Sequence, residues 1–340
     1  MRIGLLLPHF SNEGTWERLI GYASRIEDLG FDSVWVRDNV GYRGHAFELP
    51  GNRFVDPFMT LSAVAARTEQ IRLGTAVAGP FRHPLVTAQL VGSLSWISRG
   101  RFELGFAPGG MPGAFEALGL PFDARVDLWR ESLEIILAFR AGGPVTHSGD
   151  RWSFSEVVID PPPPPDLKIW YGGGTRVSAR RAAELCEGIL ASRCPFPVWD
   201  DTMRRLDTLL AGTGREVTRA TIPIVSVGRT REAAEGSLGE HLSMLRDWVT
   251  TVYKMPQSEG FDGAFLIGTP DDITEGLDQF REHGVDEVVL DARLSMGSFE
   301  EFVEVVGAEV LPPLRAAAGM SGGVNASAQA AGIRPGEGAG

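Results

Sequence analysis

The stretch IRLGTAVAGPFRHPLVTAQLVGSLSWISRGRFELGFAPG, residues 71–109, decides the fold. Ile71, Leu73, Thr75 and Val77 form a β-rich run, residues 83–98 carry the apolar spacing of a helix, and residues 101–106 are again short, apolar and bounded by glycine. Strand, helix and strand in that order make a parallel βαβ unit. Ligands of parallel α/β folds gather where the strands end at their C-terminal edges. That rule picks out Thr75-Ala76-Val77-Ala78 and Gly105-Phe106-Ala107-Pro108-Gly109 as candidate site segments.

Outward from this unit the same alternation continues. Residues 2–7 are a short apolar run stopped by Pro8, followed by His9. Residues 15–29 space Trp16, Leu19, Ile20, Ala23, Ile26 and Leu29 at three and four, with Gly30 as the stop. Residues 33–36 form a second strand that ends in Arg37-Asp38-Asn39. Residues 40–55 have no periodicity and hold Tyr42, His45 and Phe47, and an irregular connection of that length suits a covering loop. Asp56-Pro57 opens the next helix. Beyond the central unit come a helix over 126–140, a loop-like region over 141–166 with an extended piece at 151–154, and strands at 168–171, 188–192, 221–227 and 286–290. Residues 230–261 are helical and wider than one barrel unit needs, which predicts an insertion at the C-terminal edge. Eight strands, each followed by a helix, predict an α/β fold of the (β/α)8 TIM barrel type with insertions at its mouth. Residues 1–315 are expected to form this one domain, and the small, polar, glycine-rich residues 316–340 a disordered tail.

The 340 residues are 43% hydrophobic and 22% charged, an ordinary globular composition. A net charge of -12 with no basic run argues against nucleic acid or an anionic membrane as partner. The two cysteines, Cys186 and Cys194, give no disulfide framework, and the first apolar run is too short for a signal core or a membrane span. A cytoplasmic chain is expected.

Among the candidate site residues, Gly172-Gly173-Gly174-Thr175-Arg176 is the strongest anion signal. Glycines admit a phosphate close to the backbone, and the helix that follows offers free N–H groups and its positive dipole end. The alternative is a glycine turn with a Thr cap and no ligand. There is no GxGxxG after strand one and no Walker pattern. No histidine pair has zinc spacing, so no metal is expected. His9, Asp38 and Asn39 stand at strand ends, where barrel chemistry collects, although His9 is equally readable as a histidine bonded to a loop carbonyl. Asp291 and Arg293 end strand eight, where they can pair with each other.

Several segments in register, GFDSVWVRD at 30–38, RLGTAV at 72–77, the run 83–109, FEALG at 115–119, and IGTPDDI with GVDEVVL near the end, resemble the bacterial-luciferase-like family of flavin- and deazaflavin-dependent oxidoreductases. The resemblance implies a flavin-type ring across the C-terminal mouth. It also implies a non-proline cis peptide at Ala76-Val77 behind that ring, a flank formed by Gly105, Ala107, Pro108 and Gly109, and a coenzyme phosphate beside Gly172, Gly173, Gly174, Thr175 and Arg176. Family members often carry a histidine where this chain has Asn39, and an acid in one deazaflavin subgroup is replaced by Gly110.

The first functional expectation is a monooxygenase that uses reduced FMN, supplied by a separate flavin reductase, and O2 on a small organic substrate. His9, Asp38 and Asn39 would polarise the reactants, and Tyr42, His45 and Phe47 would cover the substrate. The alternative is hydride transfer with the 5-deazaflavin coenzyme F420, and a further one is a flavin-binding relative without turnover. A homo-oligomer is implied by the resemblance.

Overall fold

Eight parallel strands close on one another in this computed structural model, which describes the chain except residues 13, 42–46, 49–50, 52, 257, 259, 295–297 and 318–340. In chain order the barrel strands are β1 (Arg2–Leu6), β2 (Ser33–Val36), β3 (Arg72–Thr75), β4 (Phe102–Gly105), β7 (Ile169–Gly172), β8 (Gly188–Ser192), β9 (Thr218–Ile222) and β12 (Glu287–Leu290). Between β4 and β7 lies the hairpin β5 (Val145–Ser148) and β6 (Ser153–Val157), and between β9 and β12 the parallel pair β10 (Ile224–Val227) and β11 (Phe265–Gly268). The barrel is the (β/α)8 architecture read from the sequence.

The central unit folds as its spacing predicts. β3 pairs with β4 in parallel, Leu73 opposite Phe102. The intervening helix α3 (Pro84–Ile97) starts at His83, whose side chain accepts a bond from the Leu85 N–H. Inside the barrel Leu6, Trp35, Trp170, Leu190, Ala220, Ile222 and Val289 pack together, and Ala76 and Val77 close this core toward the mouth. Trp35 and Trp170 meet edge to face at 5.5 Å, a favoured aromatic geometry.

The structure corrects two element assignments. The strand expected over 221–227 is broken at Pro223, which has no N–H to give a ladder. Residues up to Ile222 stay in the barrel, whereas Ile224–Val227 leaves it to pair with Phe265–Gly268. The region 141–166 is less loop-like than its composition suggests, since 145–148 and 153–157 form an antiparallel hairpin. Glu131 anchors that hairpin by accepting from the Trp152 N–H at 3.0 Å and meeting His147 Nε2 at 3.2 Å. The insertion over 230–261 consists of α8 (Arg231–Leu238) and α9 (His241–Tyr253). The last helix runs to Ala317, and the rest of the expected tail lies outside the described residues. Among the described residues no helix is long and apolar enough to cross a membrane.

Candidate active site

The C-terminal ends of the strands form a crowded mouth, and its wall is built around Val77. The Ala76-Val77 peptide, the bond singled out by the family resemblance, is cis. Ala78 donates its N–H to Gly105 O at 2.8 Å, and Ala107 donates back to Ala78 O at 3.1 Å, so the ends of β3 and β4 are laced together. A Cβ on Gly105 would lie 1.8 Å from Thr75 O, and one on Gly172 would lie 2.7 Å from Val77 Cγ2. Only glycine admits this approach of three strand ends. The segment after β4 is fixed from below by Trp129, which donates to Phe106 O at 3.0 Å. Ala107 is buried, and Pro108 and Gly109 follow it toward the mouth.

At the end of β7, Thr175 caps the helix α6 (Arg176–Leu185) by accepting from the Ser178 N–H. The Gly173 N–H is already spent on Leu190 O at 2.9 Å, while Gly174 O accepts from Thr202 Oγ1 at 3.1 Å. Thr175 and Arg176 are exposed, and the first N–H groups of a helix have no partner within it, so this end can take a phosphate. The charge of Arg176 is not free for that purpose. Its Nε and one Nη each bond Asp201 at 2.6 Å.

His9 is fully buried, with Nδ1 3.0 Å from Leu7 O and Nε2 2.9 Å from Arg37 O. Burial outweighs both carbonyl contacts and pushes its imidazole down to about 4. A neutral ring has one N–H, so it serves one carbonyl at a time. Its visible role is to hold the end of β1 to the end of β2, the loop-carbonyl arrangement that the sequence left open. Asp38 accepts from Arg82 Nη1 at 2.7 Å, Arg82 Nη2 at 3.0 Å and the Gly79 N–H at 3.2 Å. It thus ties the end of β2 to the loop after β3. Burial lowers the Arg82 guanidinium, but Asp38 and Asp56 outweigh this and hold it above its ordinary value. Asn39 is different, because its Nδ2 donates to the thioether of Met111 at 3.4 Å, a weak acceptor. With Met111, Ala114 and Glu116 it lines a cavity of about 430 Å³ at the mouth. A larger cavity, about 860 Å³, lies under the hairpin and away from the strand ends.

Phe47 is buried against Leu238, Leu242, Leu245 and Leu294 rather than spread over an open pocket, while Tyr42 and His45 lie outside the described residues. Beside Phe47 the Asp291–Arg293 pair expected from the sequence is formed, and Glu48, Arg37 and Arg193, which the sequence reading did not assemble with it, join it. Arg293 donates from Nε to Asp291 at 2.6 Å and from Nη1 to Glu48 at 2.7 Å, and Arg37 Nη1 donates to the same Glu48 oxygen at 2.7 Å. Arg193, the residue after β8, adds a third guanidinium. Each of these arginines follows a barrel strand, so the strand-end rule applied to all eight strands finds them. Glu48 carries no such signal. Among the described residues no three potential metal ligands stand together.

Comparison with known proteins places the chain. The profile of the family described as luciferase-like monooxygenase matches residues 1–287. The 5,10-methylenetetrahydromethanopterin reductase of Methanopyrus kandleri is 23% identical over 84% of this chain and 91% of its own length. The F420-dependent glucose-6-phosphate dehydrogenase of Microbacterium testaceum is 26% identical over 87% of this chain and 93% of its own. Among solved structures, the monooxygenase RslO1 from Streptomyces bottropensis superposes with a TM-score of 0.75 at 22% identity, covering 92% of this chain and 99% of that one.

Proposed function

The chain belongs to the luciferase-like monooxygenase family and is an oxidoreductase, and from that premise we propose that it uses the deazaflavin coenzyme F420 for hydride transfer with a small organic substrate. The observation that carries the choice of coenzyme is the relative named as F420-dependent, which is 26% identical across 87% of this chain. The monooxygenase neighbour, at 22% identity, supports the shared barrel and not the reaction.

The residues at the mouth fit such a group. The open N-terminus of α6 behind Gly172, Gly173, Gly174 and Thr175 would take the phosphate, and Ala76, Val77, Gly105, Ala107, Pro108 and Gly109 would supply small and apolar groups beside a ring system. When bound, F420 supplies a two-electron hydride carrier that does not activate oxygen. The protein's own part is binding, orientation and exclusion of water. Asn39, whose amide donates among the described residues to a thioether, can turn that amide to a substrate oxygen at little cost. His9 and Asp38 keep the strand ends in register beneath it.

An anaerobic titration of the purified protein with F420 and, in parallel, with reduced FMN tests this. Tighter binding of F420 is the expected result. Preference for reduced FMN, followed by substrate-dependent oxygen consumption, would return the reading to a monooxygenase fed by a separate reductase, and binding of either coenzyme without turnover would mark a non-catalytic relative.

A further inference from the structure

Arg193, at the end of β8, has chemistry that the arrangement of the described residues leaves unanswered. The residue is 6% exposed, and its Nε and Nη1 are enclosed without a hydrogen-bond partner among the described residues. The guanidinium lies over the indole of Trp248 at 4.2 Å and near the ring of Phe47 at 5.7 Å. Such stacking engages the face of the group, whereas its N–H donors point outward in the plane and remain unanswered. A guanidinium with two enclosed nitrogens left without acceptors is costly, and fold stability gives no reason to keep it.

Its surroundings add to the imbalance. Glu48 accepts from both Arg37 and Arg293, and Asp291 from Arg293, so among the described residues three guanidinium groups face two acids in this cluster. Burial pushes the Arg193 guanidinium down to about 9, with Arg293 and Arg37 adding to the effect, and the group is still charged at neutral pH. Its backbone takes a φ of +51°, the left-handed region that bulky side chains avoid and that collects at functional positions. One residue on, the Cys194 sulfur packs where a Cβ on Gly174 would stand, at 3.0 Å, so Arg193 neighbours the glycine loop of β7.

We propose that Arg193 is a substrate-binding residue of this barrel, and that the substrate carries an oxyanion, a carboxylate or a phosphate, which completes the in-plane donors of its guanidinium. The proposal deepens the hydride-transfer reading by naming the substrate class, and it rests on that reading only in assigning the anion to the substrate. The same chemistry could come from the coenzyme's own phosphate, so the test separates the two sources.

Inorganic phosphate and acetate are titrated into the full-length protein without coenzyme, by calorimetry, for the wild type, Arg193→Met and Arg193→Lys. Saturable binding is expected in the wild type, weaker by about tenfold or more in Arg193→Met and partly restored in Arg193→Lys. Whichever probe binds more tightly identifies the group. The ligand-free melting temperature of Arg193→Met should equal or exceed that of the wild type, because an unpaired buried charge has been removed. A purely structural arginine would lower it. Wild-type protein that binds neither anion, or anion binding that survives in Arg193→Met, overturns the proposal. So does phosphate that competes with F420 together with weakened F420 binding in the variant, since the anion then belongs to the coenzyme. Because the anion titration contains no coenzyme, it can succeed even where the choice of F420 over FMN fails.

Discussion

At the N-terminal floor of the barrel, Glu287 accepts from Ser33 Oγ at 2.5 Å and Trp35 Nε1 at 3.1 Å on one oxygen, and meets Arg2 at 2.9 Å and Arg72 at 3.2 Å on the other. Glu103 is served in the same way by Arg72 at 2.7 Å and Trp170 Nε1 at 2.7 Å. Every carboxylate oxygen there has a donor. At the opposite end, Arg37, Arg293 and Arg193 crowd two carboxylates, a histidine sits buried and neutral, and Asn39 rests on a thioether. Both ends bury charge, but the floor completes its bonds internally and the mouth does not. Stability organises the first, and room for a ligand the second.

The sharpest way to break this contrast is at the floor. Burial raises the Glu287 carboxyl, but Arg72 and Arg2 outweigh it and hold the group below its ordinary range. Glu287→Ala leaves those guanidinium groups without their shared acceptor, and urea unfolding should show a loss of about 3–5 kcal/mol, the usual cost of stranding one partner of a buried pair. A loss no larger than that of a surface substitution would mean that these bonds at the floor do not carry the stability of the barrel.

The mouth has its own signature, and it is one of pH. His9 titrates near 4 in the folded protein and near its ordinary 6.5 when unfolded. Between those values the unfolded chain binds a proton that the native state refuses, so stability rises with pH across this window. It should be complete above 6.5 and fall as the solution is acidified toward 4, by on the order of 3 kcal/mol. Denaturant midpoints measured from pH 7 to 4 check this, and His9→Gln should flatten the slope within that window.

A smaller effect separates backbone from side-chain crowding in the wall. Gly105→Ala drives a Cβ onto the Thr75 carbonyl, which cannot step aside, and should cost about 1–3 kcal/mol. Gly172→Ala meets side chains rather than backbone, the methyl groups of Val77 at 2.7 and 2.9 Å and Ala107 Cβ at 3.4 Å. Val77→Ala should therefore rescue it, whereas Gly105→Ala loses only its 2.9 Å contact with Val77 Cγ1 and keeps the 1.8 Å clash with Thr75 O, a difference in coupling that a double-mutant cycle reads directly. Equal rescue of both would remove the distinction.

Much of this molecule was legible in the chain because its regular parts follow a period. The βαβ unit over 71–109, the eight strands and the insertion over 230–261 declare themselves through spacing, glycine stops and helix starts. Pro223 hides the break between β9 and β10 because a proline can end one strand and precede the next, and its neighbours Ile222 and Ile224 are equally apolar. At the site, the strand-end rule finds positions but not partners. Asp38 and Arg176 occupy the expected ends of β2 and α6, yet what each does depends on Arg82 and Asp201, which are distant in sequence. The Glu48 contacts to Arg37 and Arg293 join an irregular loop to two strand ends, and no local pattern encodes that.

The smallest expected effect concerns the end of the mouth where the coenzyme phosphate is proposed to lie. Arg176 is exposed and doubly bonded to Asp201, which also draws Arg204 to 3.6 Å, so its positive charge is largely answered before any anion arrives. Arg176→Ala should then weaken F420 binding by less than about fivefold, as expected when an exposed ion pair is removed. Asp201→Asn removes the opposing carboxylate and leaves Arg176 unpaired, so affinity should rise by a similar factor and the rise should fade with added salt. If neither substitution moves the affinity, the phosphate does not lie at the N-terminus of α6. A steep loss on Arg176→Ala alone would mean that the ligand pulls this arginine off Asp201, and the exposed end of α6 would then answer an anion as Arg193 is proposed to do.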